Sequence, residues 1–121
     1  MLRLIRSFSF AFNGIKVCTA RHSNFKIHLF CMLPTIALAI AFRISVNEWV
    51  AVLLCIGLVL SMEMLNTAIE QLCDVVHKEY HPGIKVTKDI AAGAVLVSAV
   101  IAAVCGAFIF IPKILSFIQT I

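Results

Sequence analysis

Charge is scarce in this sequence. Only 13% of its 121 residues are Asp, Glu, Lys or Arg, while 62% are hydrophobic and the mean hydropathy is +1.06. A soluble domain carries about 25% charged residues. That balance excludes a soluble globular enzyme, a disordered chain and a nucleic-acid-binding tail, and it leaves a small integral membrane protein. Glycine is also sparse. Gly14, Gly57, Gly83, Gly93 and Gly106 form neither GxxxxGK[ST] nor GxGxxG, so no nucleotide-binding loop is present by motif. The four histidines show no HExxH spacing. The five cysteines, Cys18, Cys31, Cys55, Cys73 and Cys105, form no CxxC and no zinc-type pattern. They read as small lipid-facing or packing residues. No cleavable signal peptide, internal repeat or low-complexity segment is expected.

What remains is helical. A membrane helix needs about 20 residues, so one domain over 1–121 has room for three or four crossings. Residues 3–20 place Leu4, Phe8, Ala11, Phe12 and Ile15 on one helical face, with Arg3, Arg6, Asn13 and Lys16 mostly off it. That pattern predicts an amphipathic helix lying in the membrane interface. Spans are expected over about 26–46 (with Pro34 inside), about 49–75 (anchored near Trp49) and about 88–111, where Pro112-Lys113 stops the run. His81-Pro82-Gly83 reads as a turn before the third span. The third span carries small residues at i, i+4 spacing, Ala94, Ser98, Ala102 and Gly106, beside Ala99, Ala103 and Ala107, which let helices approach closely.

The formal net charge of +4 follows the positive-inside rule rather than a nucleic-acid partner. Arg3, Arg6, Lys16, Arg21 and Lys26 precede the first span, and Lys78, Lys85 and Lys88 separate the second from the third. Only Arg43 and Lys113 fall on the other side. The N-terminus is therefore expected in the cytoplasm. Three spans make a thin bundle, which favours oligomerisation.

Five of the six acidic residues fall between Glu63 and Asp89. At about 100° per residue, Glu63, Asn66, Glu70 and Asp74 share one stripe roughly 80° wide. An acidic residue at the centre of a membrane helix costs about 2.5–3.5 kcal/mol on insertion scales. Glu63 is shallower, yet nothing in lipid compensates it, so it should face helices, a cation or a water-filled cleft. Glu70 and Asp74 have a plainer reading as the solvated end of a helix, with Asp74 pairing with Lys78 at i+4. Carboxylates, an Asn and lysines at one membrane surface suit a divalent cation with phosphate, or a small proton or cation carrier.

The segment Glu63-Met-Leu-Asn66-Thr-Ala-Ile-Glu70 resembles the ExxN[ST]AIE signature of the prokaryotic diacylglycerol kinase family, which includes undecaprenol kinase. The resemblance continues through Asp74, Glu79-Tyr80-His81-Pro82 and Lys88-Asp89-Ile-Ala-Ala-Gly93. Upstream it takes in Ser7-Phe8, Ala11, Gly14-Ile15 and Asn24-Phe25-Lys26-Ile27-His28. It implies an all-α homotrimer with three transmembrane helices and a surface helix per subunit, in the bacterial inner membrane. It implies transfer of the ATP γ-phosphate to a lipid hydroxyl with Mg2+, undecaprenol or diacylglycerol being the acceptor. By position, Glu63 is the family's catalytic base and Asn66 an active-site polar residue. Glu70 is a metal-binding carboxylate, Lys88 and Asp89 are the Lys-Asp pair near the phosphates, and Asp74 and Arg3 match nucleotide-site positions. One departure stands out: His22 falls where the family carries a second metal-binding Glu. Magnesium prefers oxygen ligands, so the alternative is a catalytically impaired or non-enzymatic membrane protein of the same fold.

Overall fold

The computed structural model describes residues 1–77 and 79–120. It is all-helical, with α1 (Leu2–Arg21), α2 (Ser23–Ala41), α3 (Val46–Val76) and α4 (Pro82–Ile118), and no strand among the described residues. The last three are long and apolar enough to cross a membrane. A single extended residue, His22 (φ −110°, ψ 114°), breaks α1 from α2. It makes an elbow, not a loop: its N–H still bonds to Cys18 O at 3.1 Å.

The α3–α4 hairpin is the main packed unit. α3 buries Val52, Val59, Glu63, Asn66, Thr67 and Cys73, and α4 buries Ala91, Val95, Ser98 and Phe110. On α4 the buried face passes through Ser98, Ala102 and Gly106 to Phe110, so most of the small-residue stripe lies on the packed side, while Ala94 is exposed. At the end remote from the acidic stripe, Ala39, Ile44, Val52 and Phe110 form a small core with Phe42, Trp49, Ile56 and Ile109 against it. α2 packs on α3, and α1 touches both.

Helix ends differ from the expected spans, for local reasons. The first long helix stops at Ala41, not near residue 46, because Arg43 takes a left-handed conformation (φ 47°). α3 starts at Val46, ahead of Trp49. Ser45 and Glu48 form a capping box there: Ser45 Oγ accepts from Glu48 N at 3.3 Å, and Glu48 Oε2 accepts from Ser45 N at 2.6 Å. Glu48 also pairs with Lys113 of α4 at 3.0 Å. His81-Pro82-Gly83 is not a free turn but the start of α4. Proline is suited to a first helical position, where its missing N–H is no loss. His81 Nδ1 accepts from Gly83 N at 3.2 Å, and a Cβ at Gly83 would sit 3.3 Å from the His81 ring. α4 then runs through Pro112 to Ile118, with Phe117 edge-on to Phe42 at 6.4 Å.

Loss of the capping hydroxyl in Ser45→Ala should destabilise the protein by about 1 kcal/mol. Thermal unfolding in mild detergent measures this. An unchanged midpoint would show that the Glu48–Lys113 pair alone fixes the start of α3.

Candidate active site

α3 carries the acidic stripe from the helix interior to its solvent end. Glu63, Asn66 and Thr67 are buried, at 3%, 5% and 3% exposure. One turn on, Glu70 is half-buried, and Asp74 is exposed. Burial thus falls along the stripe in helical register. A carboxylate as enclosed as Glu63 has little access to water and calls for a polar neighbour or a cation.

Asn66 Nδ2 donates to Glu70 Oε1 at 3.3 Å. This fixes the sense of the amide, since turning it over would set two oxygens against each other. The other atom, Asn66 Oδ1, is buried and has no donor among the described residues. An unmet buried acceptor costs about 1–3 kcal/mol, so Asn66 has one hydrogen bond still to make.

α4 closes the stripe from the other side. Lys88 Nζ donates to Asp74 Oδ1 at 2.5 Å and lies within the field of Glu70 as well. With side-chain exposures of 34% and 68%, this pair is screened by solvent and adds little to stability. Its consequence is positional: Asp74 holds the Lys88 ammonium over the outer end of the stripe. The partner expected from sequence, Lys78, lies outside the described residues.

The last turn of α1 and the elbow complete the surroundings. Cys18 is buried at 6% and lies within the field of Glu63. Burial first, and the Glu63 charge second, push its thiol above the ordinary range. His22 Nε2 stands 3.1 Å from Gln71 Nε2, so α1's end is tied to the residue after Glu70. Among the described residues His22 makes no hydrogen bond or ion pair with Glu70 itself.

The structure therefore brings together Glu63, Asn66, Glu70, Asp74 and Lys88. Asp89 is exposed beside Lys88, and no ion pair includes it among the described residues. Arg3 stands apart: it is exposed, and 15 residues of α1 separate it from Cys18, about 22 Å of helical rise. Sequence reasoning did not single out Thr67, Cys18 or Gln71 for the site. Thr67 lies in the quoted signature beside Asn66, and its helical register marks it as inward. Nothing local marks Gln71, because its partner lies 49 residues away.

The donor set suits a hard cation. It offers the carboxylate of Glu70, the unpartnered carbonyl oxygen of Asn66 and, deeper, the carboxylate of Glu63. Among the described residues no three His, Cys, Asp or Glu converge on one point. Magnesium needs no such cage, since it binds through one or two carboxylates plus substrate phosphates and waters.

Comparison with known proteins places this arrangement. The family model for prokaryotic diacylglycerol kinase matches residues 9–110, which hold every site residue named above except Arg3. The chain is 38% identical over 112 residues to an undecaprenol kinase of Bacillus subtilis (strain 168), spanning 93% of this chain and 91% of that protein. It is 36% identical over 114 residues to a diacylglycerol kinase of Synechocystis, spanning 93% of this chain and 65% of that one. Identity to a diacylglycerol kinase of Escherichia coli (strain K12) is 24% over 102 residues, 84% of each chain. With the family model covering most of its length, and its signature residues set along one buried-to-exposed stripe, this chain belongs to the prokaryotic diacylglycerol kinase family.

Proposed function

We propose that this protein is a membrane lipid kinase that transfers the γ-phosphate of ATP to a lipid hydroxyl at the cytoplasmic membrane surface, with Mg2+. Family membership supports phosphorylation of a lipid. The observation that carries the reading to particular residues is Glu63, 3% exposed yet aligned with a stripe that opens toward Lys88. Undecaprenol is the favoured acceptor over diacylglycerol. Similarity to the Bacillus protein named undecaprenol kinase supports this choice, as do the Asn24-Phe25…His28 and Glu79-Tyr80-His81-Pro82 segments.

Phosphoryl transfer asks a protein mainly for positioning and charge neutralisation. Glu63, at the apolar end of the stripe, accepts the proton of the lipid hydroxyl as it attacks. Asn66 holds the Glu70 carboxylate in one orientation and offers Oδ1 to a donor on substrate or on a neighbouring copy. Glu70 would hold Mg2+, which when bound neutralises charge on the β- and γ-phosphates. Lys88, oriented by Asp74, offsets charge developing on the transferred group. Asp89 and Arg3 are assigned to the nucleotide by family resemblance. A homotrimer, inserted in the inner membrane with its N-terminus in the cytoplasm, places such sites between subunits.

The deciding assay incubates purified protein with radiolabelled ATP, Mg2+ and each lipid in turn. Phosphorylated undecaprenol supports the reading. No product from either lipid would leave the catalytically impaired alternative. Glu63→Gln preserves size and removes proton acceptance, so turnover should fall about 10²–10⁴-fold with nucleotide binding little changed. Near-normal turnover would remove Glu63 from that role.

Magnesium dependence tests Glu70. Glu70→Ala should raise the half-saturating Mg2+ concentration far more than His22→Ala, and His22→Glu should lower it by adding an oxygen ligand. Shared sites are tested by mixing Glu63→Gln subunits with subunits inactivated at Lys88. Recovery of activity is expected if the two residues meet across an interface, and a fully active monomer would contradict the assembly.

A further inference from the structure

By the family resemblance His22 aligns with a metal-binding Glu, and the structure gives it a different partner, Gln71. Gln71 Nε2 can only donate, so in this pairing His22 Nε2, 3.1 Å away, is the acceptor. The bond joins two places that matter to the site. His22 is the lone extended residue between α1 and α2. Gln71 follows Glu70 directly on α3. One turn before the elbow, Cys18 is buried and lies within the field of Glu63. The elbow is otherwise held by backbone bonds within the α1–α2 segment: His22 N to Cys18 O, and Lys26 N to His22 O at 3.4 Å. Those bonds set the bend, burial of Cys18 and Phe25 on either side of it seats the elbow, and His22–Gln71 is its one side-chain hydrogen bond to α3 among the described residues.

We infer that the His22–Gln71 pair is a clasp that docks the end of α1 onto α3, covering Glu63 with the Cys18 turn, so that His22 is a positioning residue and not a metal ligand. The inference rests on the kinase reading for its effect on turnover, but the docking itself does not. The chemistry fits the exchange of residue type. A carboxylate at position 22 would add charge near Glu70, whereas an imidazole ring nitrogen takes a hydrogen bond from the Gln71 amide. The clasp is partly solvated, which makes it reversible: an opening elbow uncovers Glu63 toward the cytoplasmic surface.

Cys18 reports the docking without reference to catalysis. Full-length protein in detergent is treated with a water-soluble maleimide, and labelling of Cys18 is followed by peptide mass spectrometry against Cys73, which is also buried but sits within α3. His22→Ala and Gln71→Ala should each speed Cys18 labelling about 2–10-fold, the worth of one hydrogen bond in an opening equilibrium. The double alanine variant should be no faster than either single one. The exchanged pair, His22→Gln with Gln71→His, should return labelling toward the parent rate, and it guards against a fold defect in the alanine variants. In the lipid kinase assay the single variants should lose turnover by a similar factor, with an unchanged half-saturating Mg2+ concentration. Additive labelling effects would overturn the clasp, as would an equal rise at Cys73 or an unchanged Cys18 rate. A shifted Mg2+ requirement in His22→Ala would assign His22 to the metal instead. If docking behaves as expected and neither lipid is phosphorylated, the clasp stands and the kinase reading fails.

Discussion

A carboxylate buried within an apolar helix pair is the constraint around which this molecule is arranged. Glu63 is 3% exposed on the buried face of α3, and lipid offers it nothing. Each neighbouring feature answers part of that problem. Asn66 and Thr67 give the adjacent turn a polar lining. The small residues of α4 let α3 and α4 pack closely along the hairpin. The stripe then leads outward through Glu70 to Asp74, so the buried group has a polar route to the membrane surface. The last turn of α1 brings the buried Cys18 within its field. A membrane protein keeps a cost of this kind where function requires it.

The two ends of the α3–α4 hairpin are built on different principles. At the end remote from the site, Ala39, Ile44, Val52 and Phe110 pack around a tight α2–α3 connection. The capping box and the Glu48–Lys113 pair fasten α3 to α4 there. At the site end, apolar burial gives way to single polar contacts: Lys88–Asp74, Asn66–Glu70 and His22–Gln71. Each of these is worth little by itself in stability. They hold orientation instead, which is what phosphoryl transfer demands. One end of the hairpin is thus fastened by apolar packing and the other by polar contacts.

Much of this was legible in the chain. Scarcity of charge and long apolar runs gave the all-helical membrane architecture, and the ExxN[ST]AIE signature gave the family, because both are local patterns. The stripe of Glu63, Asn66, Glu70 and Asp74 followed from helical periodicity alone. Helix ends were read less well, although the signals existed. Ser45-Val-Asn-Glu48 is a capping-box sequence, and His81-Pro82 marks a helix start as readily as a turn. Pro112 was read as a stop, but a membrane helix tolerates proline when neighbours satisfy the freed backbone. The Lys88–Asp74 and His22–Gln71 pairs were not legible. They join residues 14 and 49 apart, and only the fold brings such residues together.

Asn66 shows why the site in one chain is poised and not finished. Its amide has two ends with opposite demands, and the sequence satisfies one. Nδ2 is spent on Glu70, which leaves Oδ1 buried and facing no donor among the described residues. An isostere without that oxygen would remove the unmet acceptor, and an Asp would set a second charge against Glu70. The amide is the side chain of that size which both steadies a carboxylate and keeps an acceptor in reserve. The groups able to use it are a hydroxyl, a cation or an N–H arriving from outside the chain. On the proposed reading, the lipid hydroxyl and Mg2+ arrive at this depth, and a neighbouring subunit can supply the N–H.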